Sequence, residues 1–260
     1  AFFGLSGYLL AIITPESAAV SIWIALPFCL AGTALAALVI GWFSVRTSGI
    51  YFIMVTLAFA QMLYYYFNEN QDLGGSDGIF LFYKPSVAIA GFQLLDLGDH
   101  NTLYFFVLIS LVLSYLFLST ILKAPFGKVI RGIQANEART LALGFNTQKY
   151  KLASFVIAGT LAGFAGFLEA IHGGIMSPAH LGWHESGIVM MVVILGGMGT
   201  LYGPVLGAFA MGFLQDFFQD IWSDHWLLLM GIFVIAVVLF LPNGIAGLIA
   251  KLEGRKGDAP

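Results

Sequence analysis

The sequence predicts an all-α fold: a polytopic transmembrane bundle of about eight hydrophobic segments, some short or broken. Three observations predict it. Of the 260 residues, 59% are hydrophobic and 10% charged, with a mean hydropathy of +0.91. A soluble domain carries about 25% charged and 45–50% apolar residues, so too few charges remain here to solvate a globule in water. The apolar residues also fall in runs, several as long as the ~17–25 residues of a membrane-crossing helix. Finally, the basic residues gather on alternate connections between those runs. The net charge of −3 lacks the strongly basic balance that nucleic-acid binding requires. The single cysteine, Cys29, lies inside an apolar run and reads as a small core residue.

The chain opens AFFGLSGYLLAII, without Met or a basic n-region, so this is not a signal peptide. Residues 1–13 fall short of the ~20 needed to span, so the chain reads as starting part-way into a membrane segment, with upstream spans expected. Apolar runs 21–43 and 50–67 follow. The longest outer connection, 68–101, contains LGGSDGIF, whose Gly74, Gly75 and Gly78 are turn-formers. A loop this long suits a functional element better than a bare connector.

Runs 102–122 and 151–171 flank a charged connection, 123–150. Runs 186–197 and 204–221 are short. The first is bounded by Gly196, Gly197 and Gly199, and the second follows Pro204. They read as half-helices or a broken span, whose backbone must be buried in protein or line a cavity. Run 226–250 closes a single permease-like domain, 1–250, and 251–260 is a polar tail.

Placing 123–151 in the cytoplasm puts Arg46, Lys123, Lys128, Arg131, Arg139, Lys149, Lys151, Lys251, Arg255 and Lys256 on that side. Of the 11 basic residues only Lys84 is left outside, as the positive-inside rule asks. The outer side collects Glu16, Glu69, Asp72, Asp77, Asp96 and Asp99, and the C-terminus is expected in the cytoplasm.

Small residues recur at helical spacing: Gly159, Ala162, Gly163, Gly166 and Ala170, then Gly199, Gly203, Gly207, Ala208 and Gly212. In lipid, close backbone contact through small residues holds helices together, so these read as packing faces; a sharper reading makes them faces that slide.

The stretch GKVIRGIQANEARTLALGFNTQKYK, residues 127–151, interrupts the oily pattern. Asn136 suits an N-cap, Glu137 the first helical turn, and Gly144 a C-cap. Ala138, Leu141, Ala142 and Phe145 offer an apolar face, and Val129, Ile130 and Ile133 a second. Two short helices at the cytoplasmic surface are therefore expected, with Arg131 and Arg139 presenting a cationic side. Such an element docks on a partner or rests on anionic lipid.

This stretch resembles the cytoplasmic coupling loop of the permease subunits of branched-chain amino-acid ABC importers, the LivM-type family. The match runs through Gly127, Ile133, Asn136, Glu137, Leu143 and Gly144, and departs at Gln134 and Thr140. GIYFIMVTLAFAQ, LGGSDG, SFVIAGTLAGFAGFL, ILGGMGTLYGPVLGA and LFLPNGIAGL resemble family segments in order and spacing. The resemblance implies a type II-like importer permease in a bacterial or archaeal inner membrane. It implies a second permease subunit, two cytoplasmic ATP-binding subunits and a periplasmic or extracellular substrate-binding protein as partners. The implied cargo is a branched-chain amino acid; relatives carrying urea or short amides are the nearer alternative. An ion-coupled secondary carrier is the alternative from another class, and would require an acid or base near the middle of the membrane. A third reading is a structural membrane subunit with no pathway of its own.

No cofactor or metal is expected. The chain lacks a Walker lysine motif, so any ATP hydrolysis falls to partners. His180, His184 and Glu185 are too few for a zinc site and read as interfacial. Glu169 and Asp216 fall near the outer rim. The residues expected to couple to an ATPase are Arg131, Ile133, Asn136, Glu137, Arg139, Leu141 and Gly144. The candidate pathway residues are the neutral polar Thr56, Gln61 and Ser186, with Gly196, Gly197, Gly199 and Gly203 as a moving or broken wall.

Overall fold

A computed structural model describes residues 1–15, 19–89, 92–95, 97–222, 225–240 and 244–247. Glu16, Asp96 and the tail with Lys251, Arg255 and Lys256 lie outside the described residues. The chain divides into two compact units, one from Ala1 to Trp183 and one from His184 onward.

In the first unit the apolar runs become helices α1 (Phe2–Ile13), α2 (Ile22–Ser44), α3 (Ile50–Glu69), α4 (His100–Lys123) and α7 (Thr147–Gly173). The last four are long and apolar enough to cross a membrane. At 1.5 Å per residue they run roughly 30–40 Å, which covers a ~30 Å hydrocarbon core. Helix α1, with 12 residues, is shorter than that thickness. Hydroxyls inside the spans are satisfied by their own helix, because lipid supplies no partner. Thr33 donates to the Cys29 carbonyl at 2.9 Å, Ser44 to Ile40 at 2.8 Å and Thr160 to Val156 at 2.7 Å.

The core forms where α7 meets α1 and α2. Tyr8, Leu10, Cys29, Phe167 and Ile171 are fully buried there. The small stripe of α7 makes this approach close. A Cβ at Gly159 would lie 2.7 Å from the Ala37 Cβ, and one at Gly163 would lie 2.6 Å from the Thr33 hydroxyl. Gly166 sits against the carbonyl of Phe3. Helices α3 and α4 are the opposite case, with 6% of their apolar windows buried within the chain. Apolar faces that open belong against lipid or other protein.

The connection 68–101 is not a bare linker, and here the structure adds strands to the expected all-α pattern. Strand β1 (Ile79–Phe80) pairs antiparallel with β4 (Ile175–Met176), just after α7. Strands β2 (Val87–Ile89) and β3 (Phe92–Leu95) form a hairpin. Ser86 donates to the Val20 carbonyl at 2.9 Å and accepts from the Ile22 amide at 3.0 Å, tying the loop to the start of α2. Leu81, Val87 and Leu97 are buried in the same core as α1 and α7.

The charged connection folds as expected into two helices, α5 (Pro125–Ala135) and α6 (Glu137–Ala142). Proline at the first position of α5 has no N–H to leave unpaired.

The second unit holds nearly all of α8 (Trp183–Gly196), then α9 (Gly203–Ile221) and α10 (Trp226–Phe240). The break expected between residues 197 and 204 is a tight turn. Gly196 abuts the Gly203 carbonyl, Gly207 abuts the Val192 carbonyl, and Gly197 has φ +109, a conformation L-residues rarely adopt. Gly244, from the LFLPNGIAGL segment, lies with its Cα hydrogen toward the Gly197 backbone, where a Cβ would come within 2.6 Å of the Gly197 Cα.

Candidate functional site

The connection between α4 and α7 is built from local signals. Asn136 caps α6, its Oδ1 accepting from the Arg139 amide at 2.9 Å. Gly144 takes φ +89 and turns the chain, and Asn146 caps α7 by accepting from the Lys149 amide at 3.2 Å. The Phe145 ring packs edge-on to Tyr150 at 6.2 Å, and Phe126 lies 5.6 Å from the same ring.

Several of the residues expected to meet a partner also bond within the element. The Arg131 guanidinium donates to the Leu122 carbonyl at 2.9 Å, closing the C-terminal end of α4. Glu137 pairs with Lys151, near the start of α7, at 2.5 Å. Thr140 is buried, with its hydroxyl donating to the Asn136 carbonyl at 3.0 Å. Ile133 is buried beneath the pair of helices. What faces outward is Ala138, Arg139, Leu141, Ala142 and Leu143; Leu141 is 58% and Leu143 71% exposed. Two bare leucines beside an arginine form an exposed apolar patch with a cationic edge.

The hydrogen bond from Lys151, helped by one from Thr147, holds the Glu137 carboxyl below its ordinary value of 4.5. A lowered folded-state pKa means the pair is fully formed above the ordinary range and is lost as pH falls through the lowered value. The contact therefore persists at every physiological pH.

The expected pathway residues divide between the two units. Thr56 donates to the Phe52 and Ile53 carbonyls at 3.0 and 2.9 Å, so its own helix satisfies it. Gln61 is different: its Oε1 is buried without a hydrogen-bond partner among the described residues. The residue lines an open groove of about 580 Å³ on α3 with Met62, Tyr65, Tyr66, Glu69 and Asn70. In the second unit Ser186 is exposed on α8. Gly196 and Gly203 sit inside the α8–α9 turn, Gly197 forms its strained corner, and Gly199 faces open space.

Two polar groups were not singled out from the sequence. The hydroxyls of Ser6 and Tyr8 in α1 are fully buried and have no hydrogen-bond partner among the described residues, although the Tyr8 ring stacks on Phe67 at 4.2 Å. Leaving such a group unpaired costs about 1–3 kcal/mol. The LSGY stretch carried the residue types, but only tertiary burial makes them distinctive. His180 is engaged locally, its Nδ1 lying 3.2 Å from the Ser177 carbonyl in the 178–181 turn.

Residues 1–238 match a family model described as branched-chain amino acid transport system / permease component. The high-affinity branched-chain amino acid transport system permease protein LivM of Escherichia coli K12 is 27% identical over 226 residues, 80% of this chain and 53% of that protein. LivM of Salmonella typhimurium is 28% identical over the same shares. The ribose import permease protein RbsC of Haemophilus influenzae is 31% identical over 94 residues, 34% of this chain and 29% of that one. The chain thus spans about half the length of the two LivM relatives. No solved structure matches it.

Proposed function

We propose, from the premise that this chain belongs to the branched-chain amino acid transport permease family, that it is one membrane subunit of an ATP-driven importer for branched-chain amino acids. It is a multi-pass membrane protein, and its relatives are transport permeases rather than enzymes. In this reading it forms a translocation route with a second permease, receives cargo from an external binding protein, and is driven by two cytoplasmic ATPases. Both compact units belong to one permease domain, and the C-terminus is cytoplasmic. The observation that carries the reading is the outward face of α6, an exposed apolar patch on a capped helix between two spans.

The cargo is the finer part of the proposal. The groove on α3, lined by Gln61, Tyr65, Tyr66 and Asn70, offers neutral polar groups to such a cargo. Partial likeness to a ribose permease makes sugar the competing cargo. Purified complex in vesicles should take up leucine, isoleucine or valine in an ATP-dependent manner. Uptake of ribose or urea in their place would overturn the cargo assignment, and purification without any ATPase subunit would overturn the importer assignment.

Two further outcomes follow from the surface and the charge pattern. Leu143→Asp should leave the permease folded, because exposed substitutions shift stability by about 0.5 kcal/mol or less. It should weaken ATPase association about tenfold, since fully burying a leucine is worth ~1.5–3 kcal/mol and 1.4 kcal/mol is tenfold in affinity. Unchanged co-purification would move the docking face elsewhere. Second, Ser76→Cys and Gln134→Cys should label from opposite sides of the membrane, since among the described residues α4 is the one candidate span between them. Labelling from one side would show that α4 does not cross.

A further inference from the structure

Helix α6 has two attachments within the first unit. Its Thr140 packs on Gly132 of α5, where a Cβ would stand 3.4 Å from the Thr140 hydroxyl. Its Glu137 carboxylate meets Lys151, near the start of α7, at 2.5 Å. The two attachments lead to different places. Helix α5 continues into α4 through Arg131 and Leu122, and α4 is a span with little of its surface buried. Helix α7 continues into the core, where Gly159, Gly163 and Gly166 lock it to α1 and α2.

We infer that Lys151 is a positioning residue: it clamps Glu137, and the clamp ties α6 directly to α7, directing displacement of α6 into the core span. This rests on the reading that α6 docks on an ATPase. The Phe126 and Phe145 rings on Tyr150 pack one side of the corner between α6 and α7, and the side at Lys151 is looser. The Lys151 stem lines a cavity of about 390 Å³ with Val45, Phe52, Ile133, Gln134 and Phe155, so open space lies behind it. The ion pair itself is half-exposed and adds little to stability. Its removal should consequently spare assembly and affect transmission.

The test uses the full importer in vesicles, with basal and substrate-stimulated ATPase rates measured for Lys151→Met, Glu137→Gln and the exchange Glu137→Lys with Lys151→Glu. Each single variant should assemble at normal stoichiometry, and Lys151→Met should keep the basal rate. Each should lose roughly fivefold in stimulation, the low end of measured couplings between sites. The exchange should recover more than half of that loss, and Lys151→Arg should lose none. A purely structural pair would lower basal rate and assembly together, which would overturn the inference. So would single variants with normal stimulation, or an exchange no better than its parts. A wild-type complex showing no substrate stimulation would instead overturn the docking reading on which the clamp rests, and the clamp with it.

Discussion

Gly166→Ala should be among the most damaging single-methyl changes in this chain. The added Cβ would enter the carbonyl of Phe3 and come within 2.9 Å of the Phe3 Cα. Both groups are backbone, so neither yields by a rotamer change, and α1 would have to lift off α7. Phe167, Ala170 and Ile171 on α7, and Tyr8 and Leu10 on α1, would lose their seating in the core. Overpacking typically costs about 1–3 kcal/mol, and a clash between two backbones sits at the top of that range or above it. The expected readout is a sharp fall in folded, detergent-stable protein and in its thermal midpoint. Gly212→Ala is the matched control, because nothing lies within 4 Å of its added methyl. Equal behaviour of the two variants would show that α1 does not seat on α7 as described.

That contrast marks where sequence pattern informs and where it stops. Runs of apolar residues located the spans to within a few positions, because lipid imposes a length and forbids unpaired backbone. Asn136 and Gly144 were legible as helix ends because capping is a local bond between near neighbours. The spacing of Gly159, Gly163 and Gly166 signalled a packing face, yet not its partners, which are Phe2, Phe3, Thr33 and Ala37 on two different helices. Strands β1 and β4, of two residues each, carry no alternation, and their pairing joins distant parts of the chain. The partner of Glu137 was hidden for the same reason: Lys151 comes within reach only after Gly144 turns the chain. Charge pattern alone did not reveal that Arg131 bonds the end of α4 or that Glu137 pairs with Lys151, while both stay exposed beside the leucines of α6.

The α8–α9 turn gives the second large effect, and it separates two roles for the glycine cluster. Gly203→Leu should disrupt the turn itself. A Cβ there would press on the Gly197 carbonyl, lie 2.8 Å from the Thr200 hydroxyl and 3.0 Å from the Gly196 carbonyl. That hydroxyl already accepts from the Gly203 amide at 3.1 Å, so it has no room to retreat without losing a bond. The branched remainder of leucine must then push α8 and α9 apart where small residues let them meet. The cost should reach about 3 kcal/mol or more, since backbone again opposes backbone. Gly199, four residues earlier, has open space at its Cβ position. Gly199→Leu should therefore assemble with normal subunit stoichiometry, which leaves substrate uptake as a clean measure of whether that open space belongs to the pathway. Loss of uptake at 199 with intact assembly would place the route beside the turn. Intact assembly at 203 with uptake alone abolished would mean that the turn opens during the cycle, and that its tight packing holds in only one state.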